Sequence, residues 1–478
     1  MKKKIPNYKR DKYIFISNLS EVTANKLYDL TFKRDGYLLS EYYTNTKSID
    51  LAKYVKKRRN LLISDNGNFS RMKKIAKKFE KKGNAILNKA INEVDDYGKI
   101  DDSTLNERSD LIKSIYDNCS SVSKTIDSNK IIGKQLLINP DYIIGLEDYN
   151  ITVIMMCGLL HPVFKPKHFE IKKHQLASVK LFNKQVKGDY GYNEELKEVN
   201  NYLVLHSYDY KSAYQAAEVA KESSADGYAI SFGGPMKSRR WITSLNIGEE
   251  TLQFQEKLPE AYLIAAAISK GTNDAMRNDL PLHILGVGTP ILVALIGCLF
   301  NKSRAISIDS TAPFKDAYAG KIYGSKHAFI KMDMNKVAAY QLRNNTPYTS
   351  ITPFFKEFES QFPSNWTAIR KELNITSESE IKNIINDLKQ NQELVEKYIP
   401  FFTKLRAGND ELIEKLRISR SGHNFWILNN ICKSIRIRMD DDLKLQKWAK
   451  YQVDRYSKVG SRKWVLAIKK CYDLSKIL

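Results

Sequence analysis

A (β/α)8 barrel of the TIM type, with helical insertions and a helical C-terminal region, is the fold the sequence predicts. Three observations predict it. Short apolar runs alternate with longer helical segments, the order of a parallel sheet with crossover helices. Two of these runs, LLISD at 61–65 and AISID at 305–309, end on an aspartate and break at once into turn residues. A third, HILGVGTP at 283–290, ends in a glycine turn. Buried parallel strands read as continuous β-branched runs, and a barrel carries its chemistry where such strands end.

Taken in chain order, strands are predicted at 13–16, 61–65, 142–147, 202–206, 227–231, 284–287 and 306–309. KSAYQAAEVAK (211–221) and EAYLIAAAISKGTNDAMR (260–277) have the spacing of helices between strands. Residues 1–335 form the barrel, with insertions near 71–140 and 162–193. The first insertion has Asp101-Asp102-Ser103 as a helix cap. Residues 336–478 turn charged and helical in pattern, for example at 378–397 and 408–417, and form an accessory region packed against the barrel.

The chain has 478 residues, of which 42% are hydrophobic, enough for a large core. Lys and Arg number 77 against 54 Asp and Glu, a net charge of +23. That excess suits a polyanionic partner. The basic residues also cluster. KYVKKRR (53–59) and RMKKIAKKFEKK (71–82) flank the Asp65 strand, Lys237, Arg239 and Arg240 follow Gly233-Gly234, and Lys302 and Arg304 precede the Asp309 strand. Lys73, Lys74, Lys77 and Lys78 are the first candidates for contact with phosphates.

Five scattered cysteines with no CxxC exclude a disulfide framework and a zinc ribbon and point to reduced thiols in a cytoplasmic protein. MKKKIPNYKRDKY leads into no apolar segment of a signal peptide. The apolar stretch 282–300 contains His283 and Pro290 and is split by GVGTP, so it reads as a strand and helix of the barrel and not as a membrane span. No Walker A or GxGxxG pattern marks a nucleotide cofactor.

These motifs, in this order, resemble the tRNA-guanine transglycosylase superfamily, and within it the DpdA branch, which acts on DNA. LGVGTP (285–290) is followed at the family's spacing by Asp309-Ser-Thr-Ala-Pro313, Ala317 and Gly320. ISDNGNF (63–69) resembles the family's TDSGGFQ. DGYAI (226–230) with Gly233-Gly234 resembles DGYAIGG with two residues inserted. Residues 141–147 resemble DIVMAFD with Glu147 at the final acid, 202–207 resemble a strand ending in Gln-Gly with His206 for Gln, and His423-Asn424-Phe425 to Arg436 resembles a late HN…R helix.

The resemblance implies a barrel enzyme that replaces guanine in DNA by a 7-deazaguanine base such as 7-cyano-7-deazaguanine. Asp309 is the implied nucleophile, forming an aspartyl-glycosyl intermediate, and Asp65 the general acid/base. DNGN is also a strong turn sequence, which alone accounts for an aspartate at 65. Phe69 is implied to stack on the base. Glu147, with Asp148 as its neighbouring alternative, is implied to accept hydrogen bonds from the base, and His206, Gly233, Gly234 and Leu285 to line its pocket. Lys315, Arg239 and Arg240 join the lysines as nucleic-acid contacts.

The same chemistry on tRNA and a non-catalytic nucleic-acid-binding relative are the competing readings. The family's zinc site, a CxCxxC followed by a histidine, has only His423 in register here, so no metal and no cofactor are expected.

Overall fold

The computed structural model describes residues 13–18, 35–58, 60–94, 99–164, 168–232, 241–276, 280–300, 304–324, 329–333 and 410–476, with Ser377, 379–380 and 383. Gly233, Gly234, Lys237, Arg239, Arg240 and Lys302 lie outside these residues, as does most of 378–397.

Eight parallel strands close into a barrel. In chain order they are β1 (Tyr13–Asn18), β2 (Gly36–Ser40), β3 (Leu61–Asp65), β4 (Tyr142–Ile144), β5 (Asn200–Leu205) and β6 (Gly227–Ser231). The antiparallel hairpin β7 (Trp241–Ile247) and β8 (Glu250–Pro259) interrupts the series. The barrel resumes with β9 (Leu282–Leu285) and β10 (Ile306–Asp309). β10 pairs with β1 in parallel and closes the ring, and β6 pairs directly with β9 across the inserted hairpin. A second antiparallel pair, β11 (Lys321–Tyr323) and β12 (Lys331–Asp333), follows. The (β/α)8 expectation is thus met. The seven expected strands are all present, and β2 is the strand of the ring that the sequence pattern missed.

Alternation along each strand fixes which side chains enter the barrel. Ile14, Ile16, Leu38, Ile63, Tyr142, Ile144, Tyr202, Val204 and Ala229 make one buried interior cluster, with Leu61 and Leu285 against it. Their neighbours Tyr13, Phe15, Leu203, Tyr228, Leu282, Ile284, Ile306 and Ile308 point outward into the main core beneath the helices. Two residues beyond Ile63 on the same face is Asp65. Asp309 and Leu285 share the inward phase on β10 and β9. The acids therefore stand over the interior at the strands' C-terminal ends.

The connections differ in size. Helices Asn68–Glu93, Asp102–Ser123 and Ser128–Leu136 fill the stretch between β3 and β4. Asp101 is the N-cap residue of the second. Within 162–193, expected as an insertion, helix His168–Lys187 packs on β5 and on helix Tyr210–Ala220 and is the helical link between β4 and β5. The apolar stretch at 282–300 is β9 followed by helix Pro290–Leu299, as its internal glycines and proline indicate. Among the described residues no helix is long and apolar enough to cross a membrane.

Three C-terminal helices, Asp410–Arg436, Asp442–Ser457 and Arg462–Leu474, share the barrel's core. The first lies against β1 and against helix Pro290–Leu299, with Phe425 and Phe15 ring centroids 6.1 Å apart. Its His423 and Asn424 tie it to the loops after β10. His423 Nε2 lies 2.8 Å from the Tyr323 carbonyl oxygen. Asn424 accepts the Tyr323 N–H at 2.8 Å and donates to the carbonyls of Pro313 (3.0 Å) and Lys321 (3.1 Å).

Candidate active site

Asp309 ends β10 and is almost wholly buried. Its backbone carbonyl accepts the N–H groups of Gly286 and Val287, each at 3.0 Å, and its carboxylate accepts Gly286 N–H at 3.3 Å. Gly286 has φ of 85°, a left-handed conformation that favours glycine, so the LGVGTP turn wraps the end of β10 in a way a side chain would strain. His283, inward on β9, stands behind the acid. Its Nε2 is 3.5 Å from Asp309 Oδ1, and its Nδ1 is 2.8 Å from Ser307 Oγ on β10.

Asp65 ends β3. Its Oδ2 accepts the Gly67 N–H at 3.1 Å, closing the tight turn that DNGN encodes. Burial, then the nearby charge of Glu147, raise the Asp65 carboxyl to about 6; the Gly67 N–H opposes this and the charge of Asp309 adds to it. The charges of Glu147 and Asp309 therefore both reach Asp65 at one mouth.

Glu147, just past β4, is held from two sides. Its Oε1 accepts Asn68 Nδ2 at 2.6 Å and Asn66 Nδ2 at 3.3 Å. Its Oε2 is 2.7 Å from Nε2 of His206, just past β5. A buried carboxylate needs such partners, since isolated burial of charge is costly. Asn66 also donates to the Gly145 carbonyl at 2.7 Å. From the sequence both asparagines were only departures from the family motif and not site residues, although their side chains stitch the β3 turn to the exit of β4. His283 was likewise missed. Its in-phase spacing two residues before Leu285, beside Ser307, was the available signal.

At the rim, the turn after β2 carries Tyr42 and Tyr43. Arg71 donates to the Asn66 carbonyl at 2.6 Å and forms an ion pair with buried Glu41. Phe69 is 39% exposed and Tyr43 62%, both at strand exits. Helix Asn68–Glu93 buries Met72, Ile75 and Ala76 and exposes Lys73, Lys74, Lys77 and Lys78, with Lys81 and Lys82 extending the same face. The Lys74 ammonium sits 5.8 Å from the Tyr42 ring centre. Lys315, on helix Ala312–Tyr318 beyond Asp309, is held below the ordinary lysine range by partial burial and by the charge of Lys73.

The structure thus brings together Asp65, Asp309, Glu147, His206, Leu285, Phe69, Lys315 and the lysine face. Asp148 points elsewhere, to His174. His423 is buried and engaged with Tyr323, and burial depresses its imidazole to about 4. Among the described residues no group of three or more His, Cys, Asp or Glu is placed to hold a metal.

No protein-family model matches the chain, and no curated protein is significantly similar to it.

Proposed function

We propose that the protein is a base-exchange transglycosylase that replaces guanine in DNA with a 7-deazaguanine base. The observation that carries this reading is the pair Asp309 and Asp65 on the inward face of the barrel mouth, with Asp65 raised to about 6 partly by the charge of Asp309.

Such a pair divides labour in a cycle. The Asp309 carboxylate attacks the anomeric carbon as the bond to guanine breaks, and the developing oxocarbenium character is stabilised by that anion. Ester formation removes the negative charge of Asp309. With it goes part of what kept the proton on Asp65, so the proton passes to departing guanine. The incoming base then gives its ring N–H proton back to Asp65 as its nitrogen attacks the anomeric carbon and frees Asp309. The proton account closes with no metal or redox partner. Gly286 N–H and His283 orient Asp309 throughout. Glu147, fixed by Asn66, Asn68 and His206, lies where a base edge rich in N–H donors needs an acceptor, and Phe69 offers a ring face.

Reaching an anomeric carbon at the bottom of a mouth requires the nucleotide to leave its stack. The lysine face beside Phe69 and Tyr43 supplies phosphate contacts for the flanking strand. The net charge of +23 agrees with an extended polyanion.

The test is incubation with a labelled 7-deazaguanine base and either duplex DNA or tRNA. Label in DNA, lost in Asp309→Ala, is the expected result. Label in tRNA alone would replace the DNA reading by the tRNA reading, and label in neither, with no trapped adduct at Asp309, would remove base exchange.

A further inference from the structure

Two neighbouring acids leave β4 in opposite directions. Glu147 turns into the mouth. Asp148 turns outward to helix His168–Lys187, where it meets His174 Nδ1 in a short contact. His174 Nε2 is in turn 2.7 Å from the hydroxyl of Tyr116, on helix Asp102–Ser123, and the two rings stack with centroids 5.7 Å apart. One turn along, Ser178 Oγ accepts the Asp148 N–H at 2.9 Å. Gln175 accepts the His206 N–H at 3.1 Å and donates to the Val204 carbonyl at 3.0 Å. Gln185 accepts the Leu146 N–H at 2.8 Å. All four helix residues are buried.

One buried helix face therefore grips the exits of both β4 and β5, where Glu147 and His206 come within 2.7 Å of each other. Of the four residues, His174 alone is bonded to a side chain of the loop, that of Asp148, and also reaches a third element through Tyr116. We infer that His174 is a positioning residue: bonded to Asp148 on one side and Tyr116 on the other, it braces the β4 exit so that Glu147 faces Asp65. Burial raises the Asp148 carboxyl, but the hydrogen bond and charge of His174 and the bonds from Asn150 outweigh it and leave it below the ordinary range. Asp148 thus stays an ionised anchor, which leaves Glu147 as the acid of the mouth.

The inference rests on the reading of the mouth as the site, but its test uses no reaction. The full-length protein, without nucleic acid, is titrated by carboxyl carbon NMR with Asp65 assigned. Groups facing Asp65 are Glu147 from the β4 exit, Asp309 on β10, the Ser40 hydroxyl at the end of β2 and the Gly67 N–H in its own turn. Wild type is expected to titrate near 6. His174→Ala releases the loop, moves the Glu147 charge away and lowers that value by roughly half a unit or more. His174→Asn, whose amide N–H replaces Nδ1–H toward Asp148, stays near wild type. A folded His174→Ala with unmoved Asp65 titration, or equal shifts in both variants, overturns the role. Where His174→Ala does not fold, Asp148→Asn carries the same comparison, and an unmoved Asp65 again overturns it. A moved titration in a protein that labels neither DNA nor tRNA would remove the transglycosylase reading and keep the positioning role.

Discussion

Asp65 sits where stability and chemistry oppose each other. Its carboxyl is raised from an ordinary value of 3.8 to about 6, so the folded protein holds that proton more tightly than the unfolded chain does. The contribution to stability is fully present below pH 3.8 and is lost as pH rises through 6, on the order of 3 kcal/mol in all. Asp65→Asn is therefore expected to raise the melting temperature at pH 8 and leave it nearly unchanged at pH 4, while transfer falls by about 10²-fold or more. Calorimetry at the two pH values, beside label incorporation, measures both. An equal change in melting temperature at both pH values would show that burial and the charges of Glu147 and Asp309 do not raise this group. Asp309→Asn removes the nucleophile but not the Gly286 contact, so base exchange and the covalent adduct should vanish while nucleic-acid affinity changes little, because phosphate contacts supply most of it. Gel shift and denaturing electrophoresis separate the two effects.

Two elements carry sharply different kinds of prediction. Helix Asn68–Glu93 buries one face and exposes a lysine stripe, so charge can be reversed without touching the core. Lys73, Lys74, Lys77 and Lys78 changed together to Glu should leave circular dichroism and melting intact, weaken binding by about 10²-fold or more, and flatten the dependence of log affinity on log salt by about 3. An unaltered salt slope would move the nucleic-acid track elsewhere. Helix Asp410–Arg436 acts through hydrogen bonds. Asn424 satisfies one N–H and two carbonyls in the loops after β10, so Asn424→Ala should cost about 2–4 kcal/mol in denaturant unfolding. A loss under about 0.5 kcal/mol, within the range of an ordinary surface change, would contradict that bracing. The resemblance had marked His423 and Asn424 through a family motif; their structural work is fastening β11 and helix Ala312–Tyr318 beside Asp309.

At the scale of the molecule, barrel and C-terminal helices form one core. Tyr13 and Phe15 face outward from β1, and the Tyr13 hydroxyl donates to the Val293 carbonyl at 2.6 Å. Helix Asp410–Arg436 covers this seam, and its Ile435 presses on Gly297, where an added Cβ would come within 2.7 Å of the isoleucine side chain. A chain ended at Asp333 exposes these surfaces together with helix Pro290–Leu299, which is buried along its whole length. It is expected to aggregate or to lose its cooperative melt, judged by sedimentation and thermal scanning. A soluble, cooperatively folding 1–333 fragment would show that the barrel is independent of its C-terminal helices.

Periodicity along single strands was local information, and the sequence by itself determined what depends on it. β-branched runs ending in Asp65 and Asp309 gave the strands, their C-terminal acids and the barrel class, and DNGN and LGVGTP gave the turns that follow. β2 was not legible because GYLLS is short and lies beside tyrosines and turn residues with no flanking periodicity. The hairpin β7–β8 was missed because its polar, alternating residues carry too little apolar contrast. Which acid of Glu147 and Asp148 enters the mouth could not come from sequence, since adjacent residues differ only in the direction their neighbours pull them. Tertiary structure alone decided it. His174, 26 residues on, draws Asp148 outward, while Asn66, Asn68 and His206, 81, 79 and 59 positions away along the chain, draw Glu147 in. Contacts between residues so far apart exist only once the ring of strands has closed.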